Sequence, residues 1–157
     1  MNLRQSKTFF ALLIFLSLPR IGNGAETPFY PGFPALHESR AYQTLIRRPI
    51  TDRTKIMYLM DRFSEANIQI IYDGYYFNAV VASGIARWFF ARNYRGETSK
   101  QWIMRWCNKS INGEFIRVKL PDGTFKLARE ILLDEIKSLE DMLAKERPSL
   151  TALPSPV

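Results

Sequence analysis

Residues 72–96 read YDGYYFNAVVASGIARWFFARNYRG, a stretch that contains a turn signal, three consecutive aromatic residues and a long apolar segment. Asp73 and Gly74 form a dipeptide that supplies the positive φ angles of a tight hairpin turn. The apolar residues before the turn and the aromatic residues after it have the composition of short strands. The stretch therefore predicts that residues 68–72 pair with residues 75–77 in an antiparallel hairpin.

A helix is predicted directly after this hairpin. Asn78 can accept the free amide hydrogens of a first helical turn, and Asn93 or Gly96 can end the helix in the left-handed conformation. Apolar side chains recur at helical spacing along one side of the helix, which favours a buried face: Val81, Ala82, Ile85, Trp88 and Phe89. We interpret these side chains as part of the core.

A second hypothesis assigns a ligand site to the same stretch. Tyr75 and Tyr76 stand beside the turn, and a tyrosine offers a flat apolar face with a polar tip. Arg87 can form a two-pronged pair with a carboxylate or a phosphate. Tyr75, Tyr76 and Arg87 are therefore the candidate site for an acidic or ring-bearing ligand.

Three more helices and a second hairpin are predicted around this stretch. Apolar stripes at helical spacing occur in residues 51–66, 98–107 and 128–146. Residues 116–120 alternate apolar and basic side chains, and the turn after them can lead into a short return strand at 125–127. The sequence therefore predicts a single α+β domain, in which about four helices pack on one or two short antiparallel β-hairpins.

Residues 1–24 have the pattern of a signal peptide. A positive segment, MNLRQSK, precedes the eleven-residue apolar core TFFALLIFLSL, whereas a bilayer span needs about 20 apolar residues. Cleavage is predicted before Ala25. The net charge then falls from +7 to +4, because the segment contains Arg4, Lys7 and Arg20 and no acidic residue. We expect an exported protein, periplasmic or secreted, with no transmembrane segment in its mature form.

Composition divides the rest of the chain into three parts. Residues 25–50 contain four prolines and little periodicity, so we predict an extended leader rich in proline and aromatic residues, with at most one short helix at 36–47. Such a segment can also be recognised by a partner. Residues 51–146 are predicted to form the compact domain, and residues 147–157 a disordered proline-rich tail.

The residue types present disfavour most enzyme classes. His37 is the only histidine, so Ser-His-Asp, Cys-His and histidine zinc sites are not expected. Cys107 is the only cysteine, so the domain must be held by packing, and we predict that the rings of Trp88, Trp102 and Trp106 are hidden from water. No glycine-rich phosphate loop occurs. We therefore predict no catalytic residue, no metal site and no cofactor, and the modest charge makes nucleic acid an unexpected partner.

Several short motifs carry a resemblance to a known family. They are the turn glycine in YDG, a helix with Ala82 and Arg87, the segment CNKSING, and the strand and turn FIRVKLPDG. By the order and spacing of these motifs, residues 55–143 resemble the YfeK-like family of small exported bacterial proteins of unknown function. The resemblance implies a cleaved protein of the bacterial cell envelope and implies no reaction.

These observations leave three hypotheses about function. The first is a non-enzymatic binding or adaptor module that recognises an envelope protein or an anionic ligand. The second is a histidine-free hydrolase of cell-wall or glycan material, with a carboxylate pair such as Asp73 and either Glu97 or Glu114. The third is a peripheral protein in weak contact with an anionic membrane through three arginines near residue 50: Arg47, Arg48 and Arg53.

Overall fold

The computed structural model describes residues 30–150, with side chains described as far as Glu146. The predicted signal peptide and residues 151–157 of the predicted tail lie outside this range. Within it the elements are a 3-10 turn at Leu36–Glu38, then α1 Arg40–Leu45, α2 Asp52–Ser64, β1 Gln69–Tyr72, β2 Tyr75–Asn78, α3 Ala79–Asn93, α4 Ser99–Trp106, β3 Arg117–Lys119, β4 Phe125–Leu127 and α5 Ala128–Leu150. The predicted α+β class is confirmed, as one domain with five α-helices among the described residues.

The four strands form one antiparallel sheet in the order β2-β1-β3-β4. Asp73 and Gly74 have φ angles of 50° and 79°, and they make the predicted turn between β1 and β2. Ile70 in the centre pairs with Phe77 of β2 on one side and with Val118 of β3 on the other. The two predicted hairpins are therefore halves of a single sheet, joined by the pairing of β1 with β3.

Three helices begin where the local sequence predicts. The side chains of Thr51, Asn78 and Thr98 each accept a backbone N–H from the third residue after them, which satisfies an otherwise unpaired donor. The end of α3 differs from the expectation. Asn93 is its last residue and the next residue is extended, while Gly96, with a φ of 92°, turns the connection that follows.

Buried side chains form two clusters. The larger one combines side chains from the sheet, α1, α2 and α5 with others from the segment before α1. The smaller one lies where α2, α3 and α4 meet, and the rings of Phe90 and Trp102 contact edge to face there, with centroids 5.6 Å apart. Trp102 is buried as predicted and Trp106 is half-buried. Cys107 contacts both clusters, so it acts as a small apolar residue between them.

Residues 30–50 pack into the domain, whereas the sequence predicted an extended leader outside it. Phe33, Tyr42 and Leu45 are buried in the larger cluster, and the ring of Phe33 meets that of Phe63 edge to face at 5.2 Å. The prediction failed because it used helical or strand periodicity to recognise buried segments. A proline-rich segment can bury single side chains without such a period. The compact unit therefore begins before residue 51.

Gly32 fixes the position of this segment. Its carbonyl oxygen accepts the backbone N–H of Asn67 at 2.8 Å, and its φ angle is 89°. A Cβ atom at this position would lie 2.7 Å from the oxygen of Asn67 and 2.8 Å from Cγ of Pro121. Only glycine therefore fits between Asn67, two residues before β1, and the turn that joins β3 to β4.

Helix α3 presents to solvent the side that the sequence predicted as core. Val81, Ile85 and Trp88 are exposed, and the burial of Trp88 in particular was predicted wrongly. The side that packs on the domain carries Ser83 and Phe90. Apolar residues of α3 itself occur on every side of the helix. Their spacing therefore could not indicate which side faces the core.

Candidate functional site

The outer face of α3 is an exposed apolar surface. Val80, Val81, Ile85 and Trp88 are between 47% and 63% exposed, and they lie on consecutive turns of the helix. A helix that is apolar on all sides is ordinarily covered on all sides. The outer face of α3, defined by these four residues, therefore has the character of an interface that another surface covers.

Two features shape this face. Gly84 lies in its middle, and a Cβ atom there would have no atom within 4 Å, so the helix backbone is accessible to an approaching surface. At the C-terminal end the guanidinium of Arg92 lies 4.0 Å from the centroid of the Trp88 ring. This cation-π contact places a positive charge directly beside the largest apolar side chain of the face.

The three residues of the predicted ligand site are placed as follows. Tyr75 and Tyr76 are both exposed, but they are neighbours in β2, so their side chains leave the sheet on opposite faces. Arg87 lies nine residues beyond Asn78, about 13 Å along the helix, and its guanidinium forms an ion pair with Asp61 of α2. The structure therefore does not bring the three side chains together in one pocket.

The connection between α1 and α2, together with the first turn of α2, forms a second exposed surface. Its residues are a mixture of aliphatic and basic side chains, all exposed, which we call the connection patch: Ile46, Arg47, Arg48, Ile50 and Arg53. Arg48 and Asp61 line a small cleft between the two helices, together with Thr54 and Met57. Asp61 of this cleft is the same carboxylate that pairs with Arg87 of α3.

A buried charged cluster lies in the interior and has a structural character. The Nε of Arg62 donates to Oε2 of Glu135 at 3.0 Å, and both side chains are almost completely buried. Arg62 also donates to the carbonyl oxygen of Pro34 at 2.6 Å, and the hydroxyl of Tyr58 donates to Glu135 at 3.3 Å. Burial and the neighbouring Glu135 raise the pKa of Tyr58. The cluster is closed to substrate, and it ties α2 and α5 to the segment before α1.

Cys107, Ser110, Asp73 and Glu97 are reactive residue types that have structural roles here. Burial raises the pKa of Cys107 to about 12, so its thiol stays protonated. The Ser110 hydroxyl donates to Asp73, and Glu97 accepts the N–H of Arg95 at 2.7 Å. That hydrogen bond, with Arg105 nearby, lowers the pKa of Glu97, which makes it a poor proton donor. Residues 30–146 contain no group of three histidine, cysteine or acidic side chains placed to hold a metal ion.

Comparison of the chain with protein-family models, with curated proteins and with solved structures found no match. Among the described residues no helix has both the length and the apolar character needed to cross a membrane.

Proposed function

We propose that this chain is a non-enzymatic binding module, exported to the bacterial cell envelope, whose recognition surface is the outer face of α3. The observation that carries the proposal is the exposure of Val80, Val81, Ile85 and Trp88 on a folded helix. The basic and apolar pattern of residues 1–24 and the resemblance to the YfeK-like family support the export.

The energetic reason is the burial of apolar area. Fully burying a side chain the size of Ile85 or Trp88 is worth about 1.5 to 3 kcal/mol, and both are more than half exposed in the free domain. These two neighbours on one face supply the kind of central anchor that dominates most interfaces. Arg92, stacked on the Trp88 ring, adds a charge at the rim of that anchor.

Site-specific photo-crosslinking tests this proposal. The variant Trp88→p-benzoylphenylalanine places the reactive group on the outer face of α3, and Lys137→p-benzoylphenylalanine places it on the exposed side of α5 as a matched control. After irradiation in the envelope fraction, we expect a discrete protein or lipid adduct at position 88, several-fold stronger than at position 137. Equal yields at the two positions, or no adduct at position 88, would overturn the proposal.

A further inference from the structure

One face of the sheet carries basic and aromatic side chains. Ile116 and Val118 are buried in the larger cluster, so this side of β3 faces the core. Successive residues of a strand point to opposite faces of the sheet. Phe115, Arg117 and Lys119 therefore follow one another on the other face, about 7 Å apart.

The pairing of the strands extends this face across the sheet. Lys119 pairs with Phe125 of β4, and Arg117 pairs with Ile71 of β1, which pairs in turn with Tyr76 of β2. Residues that pair directly lie on the same face. We call this surface the open sheet face, and its members are exposed apart from the half-buried Lys119: Tyr76, Lys109, Phe115, Arg117, Lys119 and Phe125.

The cations of the open sheet face lie against its rings. The Nζ of Lys109 is 4.9 Å from the centroid of the Phe115 ring, and the guanidinium carbon of Arg117 is 6.0 Å from that of Phe125. Within residues 30–146, neither these two cations nor Lys119 forms an ion pair with a carboxylate. Their N–H donors are therefore available to an anion, since a guanidinium that lies over a ring keeps the donors in its own plane.

The acidic residues nearest to β3 in the sequence lie outside this face. Glu114 and Asp122 belong to the connections before and after the strand, and Asp122 accepts hydrogen bonds from the backbone and the hydroxyl of Thr124 at 2.9 and 2.7 Å. Among the strand positions that the structure describes, none on the open sheet face is acidic. The expectation against nucleic acid came from the net charge of the whole chain, which does not show this local concentration of positive charge.

The chemistry of the open sheet face indicates the class of ligand. Lysine and arginine only donate hydrogen bonds, so they suit an anion whose oxygens only accept, such as a phosphodiester. Exposed rings suit flat groups, and the bases of a single strand stack on aromatic side chains. An acidic glycan would bring many hydroxyl donors that find no acceptor on cations and phenylalanine rings. A duplex keeps its bases inside the helix, where the rings cannot reach them.

We propose that the open sheet face binds single-stranded nucleic acid. Phosphates contact Lys109, Arg117 and Lys119, and bases stack on the rings of Phe125 and Tyr76. This site shares no residue with the outer face of α3, so it goes beyond the proposed function and does not depend on it.

Fluorescence anisotropy of a labelled oligothymidylate of about 12 nucleotides, with the purified protein, tests this proposal. We expect the single strand to bind at least about tenfold more tightly than a duplex of the same length. With three phosphate contacts, log Kd should rise with log salt with a slope of about 2. Phe125→Leu should weaken binding about tenfold and leave this slope unchanged. Arg117→Gln should weaken binding about fivefold and lower the slope by about 0.7.

Matched controls come from exposed residues outside the open sheet face. Tyr75→Leu removes a ring from the opposite face of β2, and Arg53→Gln removes a cation from the first turn of α2; both should bind like the wild type. No binding, equal binding of the duplex, or controls that weaken binding as much as the test variants would overturn the proposal. So would displacement of the oligonucleotide by polyglutamate or hyaluronate at equal charge concentration, because the surface would then attract any polyanion.

Discussion

Arg62 and Glu135 form an ion pair in the interior of the domain. Each is almost completely buried, and each depends on the other for compensation of its charge. Tyr58 and the carbonyl of Pro34 add hydrogen bonds to the pair, so the network joins three segments that are distant in the sequence. Removing one partner leaves the other as an uncompensated charge in the interior.

The substitution Glu135→Ala should therefore lower the free energy of unfolding by about 3 to 5 kcal/mol. Urea denaturation followed by circular dichroism measures this change. The double variant Arg62→Met with Glu135→Leu serves as the control, since it removes both charges and fills similar space. We expect it to be at least about 2 kcal/mol more stable than Glu135→Ala. A double variant that is no more stable would show that shape, and not charge, governs this site.

Cys107 should be an unreactive thiol in the native domain. Burial raises its pKa to about 12, so at pH 8 almost none of it is the reactive thiolate. The reaction with a disulfide reagent should be at least about a hundredfold slower in buffer than in denaturant. Stopped-flow absorbance gives both rates. Comparable rates would mean that the thiol lies open to solvent.

Glu140 of α5 links this helix to α2 and α4. From α5 it accepts hydrogen bonds from Lys55 of α2 at 2.8 Å and from Lys100 of α4 at 3.3 Å. These two ammonium groups lower its pKa from the ordinary value of 4.5. The carboxylate is partly exposed, so the contribution of this network to stability is small and sensitive to salt.

Glu140→Gln should cost about 0.5 to 1 kcal/mol of unfolding free energy at pH 7. Because the folded-state pKa is lowered, the stabilisation is complete above the unfolded value of 4.5 and disappears as the pH falls through the folded-state value. Thermal melts of both proteins between pH 7 and pH 3 should therefore converge at the acid end. A difference that stays constant across this range would mean that Glu140 acts through packing.

The helix starts and the first turn were predictable because their causes are local. Thr51, Asn78 and Thr98 lie at the N-caps of their helices, and a cap needs only its own side chain and the next three residues. The orientation of α3 was not predictable, because it depends on contacts with α2 and α4. The separation of Tyr75 from Tyr76 could have been found, since neighbours in a strand point to opposite faces.

The whole domain depends on contacts that join its ends. Two features connect residues that are far apart in sequence: β1 pairs with β3, and the segment before α1 is buried. No local sequence pattern predicts either contact. The fold class and its elements were therefore predictable from the sequence. The pairing of the two hairpins in one sheet and the start of the domain before residue 51 were not.

A shortened protein that begins at Thr51 should fail to fold. It would lose Phe33, Tyr42 and Leu45 from the larger cluster, and each buried aromatic or leucine is worth several kcal/mol. A total stability of about 5 to 15 kcal/mol cannot absorb these losses. Circular dichroism and proteolysis would show the result, with a protein that begins at Ala25 as the folded control. Cooperative melting of the shorter protein would restore residue 51 as the boundary.

The fit around Gly32 has a consequence for the tolerance of this chain to variation. Alanine is usually the mildest replacement for glycine, yet here its methyl group would clash with Asn67 and Pro121. Among all substitutions at position 32, almost none should give a folded protein. Gly84 has open space around it, so many substitutions there should leave the protein folded. Two glycines of the same domain would thus differ in tolerance, because one is enclosed by neighbouring atoms and the other faces open space.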